Sequence, residues 1–167
     1  MMRQLKIRFG GKGFTLVELM IVIGILGILA AVAIPMIMAS IPKYRLRAAA
    51  RELVIDFKKA KLEAVKRNRN VLLEFTPEIV GNSDAGGSYL VCADNNRNGA
   101  CDAGEGLKTV SMPRNVRLTT NKNLVGYTSR GLPWNNQFGT VTLQANAGNG
   151  TRVYQITLGA GGRVQLQ

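Results

Sequence analysis

Residues 10 to 34 of the 167-residue chain, GGKGFTLVELMIVIGILGILAAVAI, constrain it more than any other stretch. A basic leader closes on Gly13, and an apolar run follows that contains one charge, Glu18. The run from Phe14 to Ile34 has 21 residues, which as a helix rising about 1.5 Å per residue is roughly 30 Å long, the thickness of one bilayer core. An ionised acid in hydrocarbon costs about 2.5 to 3.5 kcal/mol near a helix centre and less near an end, so Glu18 is expected to serve a function and to have a partner. Arg3, Lys6, Arg8 and Lys12 precede the run without an acid among them. That charge bias keeps residues 1 to 13 cytoplasmic and sends the C-terminus outward.

A secretory signal is cut after its apolar region, at a small-residue site. Here Gly13-Phe14 stands before the apolar region, and the alternative is an uncut signal anchor. At these residues the chain resembles the type IV pilin and type II secretion pseudopilin superfamily. In that family a prepilin peptidase cuts after a glycine, the new first residue, usually phenylalanine, is N-methylated, and the fifth mature residue is glutamate. Gly13, Phe14 and Glu18 match these positions, and Pro35 falls at mature position 22, where the family often has proline. The resemblance implies that Glu18 pairs with the N-terminal amine of a neighbouring subunit during assembly.

The formal charge is +12; without the four basic leader residues, 18 basic against 10 acidic residues leave +8. The chain has no histidine, which removes the commonest general base and metal ligand. No nucleophile–base pair or phosphate-binding glycine loop stands out, and Gly159-Ala160-Gly161-Gly162 precedes a strand pattern rather than a helix. An enzyme is therefore not expected. Both cysteines, Cys92 and Cys101, lie beyond the apolar run, where an oxidising periplasm lets disulfides persist, and a Cys92–Cys101 bridge is the simplest pairing.

Leu46, Ala50, Leu53, Phe57, Ala60 and Ala64 recur at spacings of 4, 3, 4, 3 and 4. This single apolar stripe predicts a stalk helix over about residues 43–69 that continues the membrane segment. Pro35 and Pro42 predict kinks or local unwinding around residues 31 to 42. Between Lys43 and Arg69 ten basic residues face three acids, Glu52, Asp56 and Glu63, so the face opposite the stripe is cationic. It is read either as a solvated face near anionic headgroups or as a surface for a partner or nucleic acid. The segment RLRAAARELVIDFKKAKLEAVKRNRNVLLEF is similar to the region after the membrane helix in the GspH/FimT/FimU subfamily of minor pilins and pseudopilins. Its AR-x-EA-x-x-R-like hallmark reads here from Ala60 to Arg67, with Lys61 in place of the usual arginine.

Beyond Asn70 the period changes to two. Val71–Phe75, Tyr89–Ala93, Leu107–Met112, Val116–Thr120, Thr140–Ala145, Arg152–Leu158 and Arg163–Gln167 read as short strands separated by Gly, Asn and Pro. The predicted core is Leu72, Leu90, Val110, Val116, Leu118, Val141, Leu143, Val153, Ile156 and Leu158, packed against the stalk stripe. The fold class is α+β, a pilin-like lollipop: a cleaved leader (1–13), a helix (14–70, transmembrane over 14–34) and an antiparallel β head (71–167). Residues 80 to 88 and 144 to 150 are rich in Gly, Asn and Ser and read as mobile loops. Gly126 to Gly131 resembles the family's aromatic-x-x-x-Gly turn, and Tyr127, Trp134, Phe138 and Tyr154 are expected at the edge of the core.

One loop carries ligand chemistry. Asp94 to Glu105 fits D-x-[DN]-x-[DN]-G-x5-E, in which Asp94, Asn96 and Asn98 offer hard oxygens at alternate positions, Gly99 permits the turn, Ala100 offers its carbonyl, Asp102 adds a carboxylate and Glu105 can chelate through both oxygens. The flanks read as strands, so the expectation is a candidate calcium loop within a β-hairpin rather than an EF-hand; the alternative is an Asn/Gly turn held by its own hydrogen bonds.

From Gly106 onward there are seven basic residues and no acid. Arg130, Arg152 and Arg163 are candidate contacts for DNA or acidic partner subunits, against the alternative of an ordinary cation excess. The family's competence members carry a GRxR-like motif; here Gly162-Arg163-Val164-Gln165 lacks the second arginine, a departure from the DNA-uptake pattern. The expectation is a minor pilin or pseudopilin of the inner membrane, with a periplasmic domain, that joins or primes a type IV pilus or type II secretion pseudopilus. Its expected partners are other pilin subunits, the prepilin peptidase and the inner-membrane assembly platform. The alternative is a DNA-binding pilin for transformation.

Overall fold

Among the described residues one α-helix, α1 (Leu16–Arg67), opens the fold, and eight strands follow it: β1 (Asn70–Thr76), β2 (Ser88–Asp94), β3 (Gly106–Ser111), β4 (Arg117–Thr120), β5 (Leu124–Tyr127), β6 (Gly139–Ala147), β7 (Gly150–Leu158) and β8 (Val164–Leu166), with a 3-10 turn at Trp134–Asn136. The computed structural model describes residues 13–77, 86–147 and 150–167. The basic leader and the center of the first predicted loop lie outside them. The chain divides into two compact units, Met1–Met38 and Ala39–Gln167.

The first unit holds the apolar half of the helix. Its side chains from Phe14 to Met38 are exposed throughout, and the helix reaches a mean hydropathy of 2.8 over 18 residues. Helix α1 runs unbroken through Pro35 and Pro42, so the unwinding expected from them does not occur. Each proline removes one backbone donor, and the remaining ladder carries the helix across the gap.

In the second unit the predicted stripe is the buried face of α1. Leu46, Ala50, Leu53, Phe57, Ala60 and Ala64 are all at most 1% exposed, joined by Ala49 and Asp56. Two antiparallel four-stranded sheets complete the unit, ordered β3-β2-β1-β5 and β4-β6-β7-β8. Helix α1 ends at Asn68, whose φ of 51° is the left-handed conformation that asparagine tolerates. The chain then turns directly into β1, where Val71, Leu72 and Leu73 are consecutively buried, as suits a strand covered on both faces.

The sequence reading locates seven of the eight strands and misses β5, which pairs with β1 from Val71↔Tyr127 to Glu74↔Leu124. Residues 144–147 and 150 belong to the β6–β7 hairpin, paired to Ala147↔Gly150, and not to a loop. Of the predicted core, Val153 is 47% exposed: along β7, Ile156 and Leu158 point inward, and alternation turns Val153 outward. Leu90 and Val110 are half-buried. Among the aromatics Tyr127 is fully buried and Tyr154 packs partly against the core, whereas Phe138 is 38% exposed.

Helix and first sheet are joined by aromatic packing and by one buried acid. Phe57, Phe75 and Tyr89 form a tilted series with ring centroids 6.2 and 5.9 Å apart. Asp56, 2% exposed, accepts a 2.6 Å hydrogen bond from the Tyr89 hydroxyl and a 2.6 Å bond from Lys108 Nζ on β3. Lys108 also reaches Glu52 at 2.9 Å, but that pair is half exposed and contributes little. The bond to Asp56 and then that to Glu52 raise the Lys108 pKa; burial, reinforced by the Asp56 bond, raises that of Tyr89. Burial alone pushes the Tyr127 phenol up to about 12.

Two predictions follow from this network. Asp56→Ala leaves the Tyr89 hydroxyl buried without its acceptor and is expected to cost about 2 to 4 kcal/mol in thermal or denaturant unfolding of the detergent-solubilised chain. Tyr89→Phe should cost about 1 kcal/mol, and the double mutant less than the sum; full additivity would show that the two groups are not coupled. The second concerns alkaline pH. The unfolded chain releases its tyrosine and lysine protons near pH 10, while folded Tyr89, Tyr127 and Lys108 retain theirs, so the unfolded state binds fewer protons and stability falls as pH rises above about 10. Tyr89→Phe should make the decline of Tm between about pH 9 and 11.5 shallower.

Candidate functional site

The two regions that carry the predicted site residues lie in different units. In the first, Thr15 caps the start of α1: its Oγ1 accepts the Glu18 N–H at 3.2 Å, and Thr15-x-x-Glu18 has the spacing of a capping box. An acid in the first turn also faces the positive end of the helix dipole, where a carboxylate is least costly. The Glu18 side chain is exposed and forms no ion pair among the described residues. Gly13 and Phe14 precede the helix, both exposed, with Phe14 at 82%. Pro35 lies within α1.

In the second unit, β2 and β3 are joined by the Asp94–Glu105 loop. Cys92 on β2 is bonded to Cys101, with Cα atoms 5.7 Å apart, as the sequence reading anticipates. Asp94 is fully buried at the end of β2 and Glu105 is 8% exposed at the threshold of β3. Glu105 accepts the Asn95 N–H at 2.8 Å with Oε1 and the Asp102 N–H at 3.2 Å with Oε2. Asn96 and Asn98 each donate through Nδ2 to Asp102 Oδ2, at 2.7 and 2.6 Å. Arg69, just past α1, donates to the Asn95 carbonyl. Among the described residues no three Asp, Glu, His or Cys side chains converge as a metal cluster. Ligation in this loop would therefore have to combine its carboxylates with amide and backbone oxygens.

The hallmark stretch of the helix has a packing role that the sequence does not disclose. Lys61 Nζ donates to the Gly162 carbonyl at 3.3 Å and lies 5.9 Å from the center of the Tyr127 ring. Gly162 adopts φ 68°, and a Cβ there would meet the Gly131 carbonyl oxygen at 2.7 Å. Two turns, Thr128–Leu132 and Gly159–Arg163, thus abut beneath the helix. Glu63 and Arg67 pair at 2.6 Å one helical turn apart, and the Arg67 bond lowers the Glu63 pKa at this exposed site.

Arg130 and Arg163 flank the two glycines at which these turns abut, and both are exposed. Arg152 stands apart, near the far end of β7, six residues and about 20 Å of extended chain from Leu158. The three candidate contacts therefore do not form one patch.

Comparison with known proteins places this arrangement. The family described as Type II transport protein GspH matches residues 49–162, and the prokaryotic N-terminal methylation motif matches residues 9–34. The pilin-like protein PilA1 of Thermus thermophilus is 32% identical over 165 residues, covering 93% of this chain and 98% of its own length. Two crystal forms of the type IV minor pilin FimU of Pseudomonas aeruginosa resemble the fold with TM-scores of 0.52 and 0.55, at 16% and 19% identity. They cover 72% and 75% of this chain and 91% and 90% of FimU, a likeness of fold alone. The helix, the two sheets and both family matches agree: the chain belongs to the GspH family and is a pilin-like structural subunit with an N-terminal methylation motif, not an enzyme.

Proposed function

We propose that the chain is a minor pilin or pseudopilin that waits in the inner membrane, with Ala39–Gln167 in the periplasm, and then joins or primes a type IV pilus or type II secretion pseudopilus. In this reading the prepilin peptidase cuts after Gly13, Phe14 becomes the methylated N-terminus, and an inner-membrane platform passes the subunit into the fibre. The observation that carries the reading is Glu18, a single exposed carboxylate in the otherwise uncharged apolar stretch of residues 14–34. A carboxylate and an amine carried separately in hydrocarbon each cost several kcal/mol, and together they satisfy one another. Assembly is the event that brings the Phe14 amine of a neighboring subunit to Glu18.

Arg130 and Arg163 favor a second reading, contact with DNA, because two exposed cations sit on adjoining turns. That reading requires salt-dependent DNA binding by the detergent-solubilised chain that weakens in Arg130→Ala and Arg163→Ala. Absence of binding at about 50 mM salt would remove it.

The assembly reading is tested in cells. Glu18→Ala should still lose its leader, seen by mass spectrometry as a chain beginning at methylated Phe14, while its amount in sheared fibres or pseudopili falls at least about tenfold, the equivalent of about 1.4 kcal/mol. Gly13→Val should leave the leader in place. Normal incorporation of Glu18→Ala would refute the pairing.

A further inference from the structure

We propose that the β2–β3 loop is a calcium site, its cation held by Asp94, Asn96, Asn98, the Ala100 carbonyl, Asp102 and Glu105. This goes beyond the assembly reading and does not depend on it.

The observation that calls for a cation is Asp94. This carboxylate is fully buried, and one oxygen, Oδ2, accepts the Gly99 N–H and the Asn70 amide, each at 3.2 Å. The other, Oδ1, is buried without any hydrogen-bond partner. A buried carboxylate oxygen left bare is costly, and native structures rarely keep one. Because Gly99 is the middle of the loop, its bond to Oδ2 sets the Asp94 carboxylate against the loop's inner side.

The remaining donors belong to the same loop. The bonds from both asparagine amides to Asp102 gather the third, fifth and ninth loop positions together. Asn96 Oδ1 and Asn98 Oδ1 each accept one backbone N–H, from Asn98 at 3.1 Å and Ala100 at 2.8 Å, so each retains a second lone pair. Both Glu105 oxygens are turned back into the loop by the Asn95 and Asp102 N–H groups. Left-handed backbone at Arg97 (φ 62°) and Gly99 (φ 77°) curls the chain around this center, and the Cys92–Cys101 bond fixes it.

The donor chemistry selects the metal. All donors are hard oxygens, and the one cysteine in the loop is in a disulfide, which suits calcium with six to eight oxygen ligands and not zinc or copper. Three carboxylates oppose the Arg97 charge, and the other donors are neutral. Such a set belongs to the weak extracellular class, with Kd of about 10⁻⁴ to 10⁻³ M.

The chain carries its own probe. Trp134 is its only tryptophan, and its indole covers Gly99, where a Cβ would come within 2.5 Å of Cζ2. In the detergent-solubilised full chain, terbium should give saturable luminescence sensitised by Trp134 that calcium displaces, and 10 mM calcium should raise Tm by about 5 °C. Asp94→Asn and Asp102→Asn should each weaken terbium and calcium binding at least tenfold. Asp102 is exposed, so that variant is expected to keep the calcium-free Tm and carries the test if Asp94→Asn fails to fold. No saturable signal and no Tm shift in folded wild-type chain would overturn the site. So would a response unchanged in Asp102→Asn, or one matched by magnesium at equal concentration.

Discussion

The buried carboxylate of Asp56 fixes how the second unit is put together. Apolar contact between the helix stripe and the sheet is non-directional, and a row of leucines and alanines tolerates sliding or rotation by a fraction of a turn. The bond from the Tyr89 hydroxyl to Asp56 is directional, and both groups are buried, so a shifted helix would leave two polar groups unpaired. Lys108 adds the charge that makes a buried acid tolerable and ties β3 to the same point. One interaction thus sets the helix against β2 and β3 together, and the β2–β3 loop inherits that placement.

Much of this was legible in the sequence because its periods are clean. The 4-3-4-3-4 spacing from Leu46 to Ala64 marks the buried face, and alternation locates seven strands. Asp56 was not legible: its residue type assigns it to the charged surface, although its position three residues after Leu53 and beside Phe57 places it on the stripe. Only Tyr89 and Lys108, 33 and 52 residues away, make its burial acceptable. Strand β5 was hidden for a different reason. Leu124–Tyr127 is four residues long and contains a glycine, too short for alternation to register, and it becomes a strand by pairing with β1. Val153 shows the opposite failure, since hydrophobicity overruled a parity that Ile156 and Leu158 already set.

The N-terminal methylation motif and the β2–β3 loop differ in the same way. Gly13, Phe14 and Glu18 are informative as sequence because they fall within the short linear stretch that the N-terminal methylation motif matches, and the structure adds only how Thr15 starts the helix just before the acid. The loop pattern, by contrast, is short and common in Asn/Gly turns. What separates a ligand loop from a turn is the partner of each oxygen, and that is a three-dimensional fact. The unpartnered Asp94 Oδ1 had no signature in the spacing.

A subunit of this family must pack among copies without its sheets joining edge to edge. The two sheets end on β3 and β5, and on β4 and β8. Each edge is blunted by local chemistry. β3 carries Lys108, and its far neighbor β5 is bridged at Tyr127 by Pro133, which has no N–H to donate. β4 is four residues long and begins with Arg117; β8 has three residues. Cations, proline and short length are the means by which edge strands avoid pairing with foreign chains. Part of the basic excess after Gly106, Lys108 on β3 and Arg117 on β4, therefore has a structural reason at the sheet edges and needs no partner to explain it.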